Sequence, residues 1–115
     1  MKPWLPLAAS ILLVGAAPPT DAVTKGNLRC FIALTVLADT DDPAVKQAAA
    51  AGTLYFLGRL DGRSPNLDIE AAVAAEMRGM TDADIRSLLK SCGDTIKGRG
   101  DYLTAIGKAL EKLDK

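Results

Sequence analysis

Thr81-Asp82-Ala83-Asp84-Ile85-Arg86-Ser87-Leu88-Leu89-Lys90-Ser91-Cys92-Gly93-Asp94-Thr95-Ile96 is the stretch that decides the fold. Counted from Ile85, the residues Leu88, Leu89, Cys92 and Ile96 follow at 3, 4, 7 and 11. That spacing stacks side chains on one face of an α-helix and scatters them over both faces of a strand. Thr81 and Asp84 stand where a capping box would open the helix, with Asp in the place usually held by Glu. Cys92 belongs to the apolar face, so it is expected to point into a core.

Working outward, the same period recurs and no run alternates with period two. A helix is expected from about Lys25 to Ala38, apolar around most of its circumference and therefore central. Cys30, Leu34 and Leu37 lie on one side of it. Asp42 reads as an N-cap and Pro43 as the first residue of a second helix running to about Leu60. In that helix Ala48, Ala49 and Gly52 form a strip of small residues that lets another backbone approach. Gly62 suits a C′ position, with Arg59 and Arg63 favourable near a helix C-terminus. Ser64-Pro65-Asn66 reads as a loop. A third helix spans about Leu67 to Arg78, with Ile69, Ala72, Val73 and Met77 inward. Gly98 and Gly100 are expected to end the fourth helix, and Asp101 to cap a fifth carrying the stripe Leu103, Ile106, Leu110 and Leu113. The fold class is therefore all-α, a small bundle of about five helices.

At 115 residues the chain is one domain at most. Lys2 followed by the apolar run Leu5 to Ala17 has the charge and length of a secretory signal peptide and is short for a membrane span. Val14-Gly15-Ala16 offers small residues for cleavage, and Thr20-Asp21-Ala22 is a second candidate. Residues 1–22 are read as signal peptide and processing region, and 23–115 as a single helical domain. Trp4, the one tryptophan, falls in the removed part. The product is expected in the periplasm or outside the cell, with no stable membrane insertion after processing. Asn27-Leu28-Arg29 before Cys30 is no lipoprotein cleavage box.

Export makes the two cysteines informative, because oxidising compartments form and keep disulfides. A Cys30–Cys92 bridge would close a loop of about 61 residues, worth roughly 4 kcal/mol in the chain-entropy account. Two free thiols or a metal pair are the alternatives, and two lone thiols without histidine make a poor zinc site.

Lys plus Arg number 14 and Asp plus Glu number 14, which speaks against nucleic acid as a partner. Histidine is absent, removing the commonest general base, the commonest metal ligand and the Ser/His and Cys/His nucleophile pairs. No enzyme activity, cofactor or metal is expected. Asp39, Asp41 and Asp42 lack the later ligands of a calcium loop. Arg99-Gly100-Asp101 explains itself as a helix break and cap, and Lys97 to Gly100 lacks the spacing of a phosphate loop. Glu76 follows Glu70 by six residues, so the two do not share a helix face as an acid pair would. Arg59-Leu60-Asp61-Gly62-Arg63 is a charged cluster after the second helix, most simply a solvated turn with a local ion pair worth little. Read as a charged turn, it could clamp a carboxylate or an acidic group of a protein partner.

A signal peptide, Cys30-Phe31-Ile32-Ala33-Leu34, the helix start Asp42-Pro43-Ala44-Val45, and a late helix with Ile85 and Leu88-Leu89-Lys90-Ser91-Cys92 together resemble the Hde-type acid-stress chaperones of the bacterial periplasm. That resemblance implies a small helical protein with one disulfide between an early and a late helix. It also implies unfolded proteins as clients, bound when acid loosens the fold or a homodimer. Tyr55-Phe56-Leu57-Gly58-Arg59-Leu60-Asp61-Gly62 departs from that pattern. It is similar instead to the small periplasmic immunity proteins of the Tai type, although their further cysteines are missing here. That second likeness implies an inhibitor of an exported enzyme, with Arg59, Asp61 and Arg63 as the partner-binding surface.

Overall fold

The structure is a computed structural model that describes residues 21–113. The apolar run Leu5 to Ala17 expected as a signal peptide, its first cleavage candidate and Trp4 lie outside the described residues. Within them the regular structure is all α-helix, in the order α1 (Ala22–Leu37), α2 (Pro43–Arg63), α3 (Ile69–Met77) and α4 (Asp82–Leu113).

The starts of the helices follow from local chemistry. Asp21 caps α1, its carboxylate accepting the Thr24 N–H at 2.9 Å. The helix thus begins three residues before the expected Lys25. A cut after Ala22 would remove this cap, whereas one after Ala16 would keep it. Asp42 caps α2 through the N–H groups of Ala44 and Val45, with Pro43 at the first helical position as the sequence indicates. Asp68 caps α3. At α4 the reciprocal bonds of a capping box are made: Asp84 N–H donates to Thr81 Oγ1 at 3.1 Å, and Thr81 N–H donates to Asp84 Oδ2 at 2.9 Å.

Four helices, not about five, are present, because α4 runs unbroken through Gly98 and Gly100. A helical glycine costs about 1 kcal/mol against alanine, which weakens a helix without ending it when both flanks propagate. Asp101, expected as a cap, instead accepts a hydrogen bond from Lys97 at 3.0 Å one turn earlier. Gly62 is likewise not a C′ residue. α2 continues to Arg63, and Ser64 N–H closes it on Leu60 O at 2.8 Å. No glycine among the described residues has the positive φ that a glycine C′ cap requires.

The core has two centres. Leu28, Ile32, Leu60 and Ala72 form one, joining α1, α2 and α3. Leu34, Phe56 and Cys92 form the other, joining α1, α2 and α4. Gly52 lies at the second. A Cβ built there would stand 2.8 Å from Leu34 Cδ1 and 3.3 Å from Ile96 Cγ1, so any side chain at this position makes the buried Leu34 shift. Ala49 is buried beside it while Ala48 is exposed, which narrows the expected small-residue strip to two members.

Candidate functional site

Cys30 and Cys92 are bonded, with Cα atoms 5.5 Å apart, and tie α1 to α4. The free-thiol and metal-pair alternatives fall with that bond. Among the described residues no group of three or more His, Cys, Asp or Glu could hold a metal ion, and no helix is long and apolar enough to cross a membrane.

The sequence missed the most unusual polar group, Glu76. It sits on α3 with its side chain only 3% exposed. Arg29 Nε donates to its Oε1 at 2.7 Å, and Lys25 Nζ lies 3.6 Å from the same oxygen. Both cations come from α1 and are one turn apart, so one carboxylate joins two successive turns of the neighbouring helix. Met77, expected inward, is 47% exposed instead. The signal was available: from Ile69, the positions 3, 4 and 7 onward are Ala72, Val73 and Glu76, one helical face. Apolar preference favoured Met77, although it is one residue off that face. Asp84 at the start of α4 also feels Arg29. Lys25, Arg29 and Glu76 form a charged contact between α1 and α3.

Two exposed carboxyls sit below the ordinary aspartate range. Thr24 holds Asp21 down, first through its hydroxyl and then through its N–H. Thr81 holds Asp84 down, first through its N–H and then through its hydroxyl. In both, donors to the ionised form favour it.

The expected charged turn is the last turn of α2 rather than a turn between helices. Arg59 and Arg63, four residues apart, share a face and line a shallow recess with Gly58 and Gly62, neither of which has a side chain to fill it. Asp61 is two residues from each and faces elsewhere, so the structure does not gather the three. Arg59 is oriented from two sides. Its Nε donates to Asn27 Oδ1 at 3.0 Å and its Nη1 to Tyr55 Oη at 3.0 Å. Asn27 is buried, and its Nδ2 has no hydrogen-bond partner among the described residues.

Two apolar grooves flank α1. One of about 310 Å³ is walled by Leu34, Leu37, Val45, Leu89 and Ile96. The other, of about 320 Å³, lies between Ile32, Val36, Val73 and Met77, where α3 meets α1. Compared with protein families, curated proteins and solved structures, the chain matches none.

Proposed function

We propose that this chain is an exported, non-enzymatic binding protein that loosens in acid and then holds unfolding proteins, as the Hde-type chaperones it resembles do. The observation that carries the reading is the buried Glu76 between Arg29 and Lys25. α3 is nine residues long and packs mainly on α1. Loss of the Glu76 charge leaves Arg29 and Lys25 adjacent without their shared anion. Release of α3 uncovers Leu28, Ile32 and Leu60, an apolar surface fit for a client. The second core centre is held by the disulfide, which acid does not break. The opening is therefore one-sided, and the α1–α4 tie limits expansion.

Circular dichroism and apolar-dye fluorescence of the oxidised protein, taken from about pH 7 down to pH 2, test this reading. Expected are a reversible loosening with new dye binding and suppressed aggregation of a model client in the same pH range. Glu76→Gln should move the onset of dye binding to higher pH. A rigid fold down to the acid end, with no dye bound, refutes the proposal.

A second reading is favoured by the paired Arg59 and Arg63, which present two cations on one face to an acidic group. In it the chain blocks an exported enzyme. It requires co-purification with one such enzyme at neutral pH, abolished by Arg59→Ala with Arg63→Ala.

A further inference from the structure

We propose that the outer half of α4 pairs antiparallel with the same segment of a second copy of this chain. Leu89, Ile96, Leu103 and Leu110 recur every seven residues. Cys92, Arg99, Ile106 and Leu113 follow them at the same interval, three residues on. This is the a/d pattern of a helix made to pack along one seam. The first members of the seam, Leu89, Cys92 and Ile96, pack in the core around Leu34 and Phe56. Beyond Ile96 the seam continues on the same face with no other element among the described residues packed on it: Leu103 is 68% exposed, Leu110 56% and Leu113 78%. One helix surface is thus an intramolecular interface for half its length and bare for the other half.

Charge selects the occupant and its direction. Arg99 is the one charged member of the outer seam, and its guanidinium lies 4.6 Å from the centre of the Tyr102 ring. A parallel copy would set Arg99 against its own equivalent in the seam, a like-charge contact that disfavours pairing. An antiparallel copy with Leu103 opposite Ile106 sets Arg99 opposite Leu110 and next to Glu111, and the two-fold axis repeats that contact. Intramolecularly Arg99 and Glu111 are twelve residues apart on one helix, out of each other's reach. The same register brings Leu113 of the second copy opposite Ile96, at the mouth of the groove walled by Leu34, Val45 and Leu89. Gly100 and Gly107 border the seam with open space where a Cβ would be, so the second helix can come close.

The overlap from Ile96 to Leu113 is about 26 Å long at 1.5 Å per residue. A helix pair of that length falls short of the roughly 800 Å² per partner of a standard stable interface, so dimerisation on the order of micromolar Kd is expected. This inference does not depend on the acid-opening reading.

Sedimentation of the oxidised protein across concentration at neutral pH tests it, with circular dichroism confirming that each variant folds. The wild type should shift from monomer to dimer. Leu103→Glu with Leu110→Glu, at positions exposed in the monomer, should weaken dimerisation about a hundredfold or more. Arg99→Glu should weaken it about tenfold, and adding Glu111→Arg should restore it to within about threefold of wild type. A wild type still monomeric at about 200 µM, or a dimer indifferent to the two glutamates, overturns the proposal. Failure of Glu111→Arg to rescue Arg99→Glu overturns the antiparallel arrangement.

Discussion

Gly52 and Gly58 are both interior to α2, yet their surroundings differ in the property that decides a substitution. A methyl at Gly52 meets Leu34 and Ile96 in the core, whereas one at Gly58 meets nothing within 4 Å. Gly52→Ala should therefore destabilise by about 1–2 kcal/mol despite a better helix propensity. Gly58→Ala should stabilise by about 0.5–1 kcal/mol. Urea denaturation of the two variants checks the opposite signs. The capping carboxyls give a pH dependence of definite sign. Asp21 and Asp84 have folded pKa values below the ordinary 3.8. Their contribution is complete above the unfolded value and is lost as pH falls below about 4 through the folded value. Asp84→Asn should thus narrow the stability difference between neutral and strongly acid solution, measured by urea midpoint at each pH. At this scale the sequence was legible where a residue acts on its own backbone, as in the Asp42 cap and the Thr81–Asp84 box. It was illegible where the partner comes from another helix. Glu76 needs Arg29 and Lys25 from 47 and 51 positions earlier, and nothing in its own neighbourhood announces them.

Helix type and order were readable from periodicity, while two of the ends were not. Pro43 starts α2 as its local chemistry dictates, whereas Gly62, Gly98 and Gly100 end no helix. A cap carboxylate acts within one turn and is visible in four residues, but a glycine ends a helix only when the chain beyond has somewhere else to go. Past Gly100 a single amphipathic segment resumes in phase with the one before, so helix continues. Gly98→Ala with Gly100→Ala, both into open space, should raise total helicity and leave the Cys30–Cys92 bond and the core unchanged. Far-ultraviolet circular dichroism checks the gain. A loss of helicity would mean that the two glycines serve a bend this structure does not contain. The Arg59–Arg63 recess belongs to this scale too. Reading the five residues as a turn put Asp61 between the arginines, and winding them into α2 turned it away.

For the molecule as a whole, two core centres share α1 and α2 but differ in what fastens them. A charged contact secures α3, and a covalent bond secures α4. The bridge spans a sequence separation of 62, and losing it should lower stability by about 4 kcal/mol, much of the total for so small a domain. Replacing both cysteines by serine should bring the thermal midpoint down by tens of degrees, on the order of 4–8 °C per kcal/mol. Scanning calorimetry measures it. α4 has a further consequence, since it is one continuous helix of 32 residues with a packed half and a bare half. Its amide protons should trade with deuterium in two regimes. In the monomer, at concentrations well below the dimer's Kd, those from Ile85 to Ile96 should exchange only when the domain opens, and those past Lys97 by local fraying. The boundary between the slow and fast amides would fall within a single turn of Ile96, with no break in the backbone to mark it.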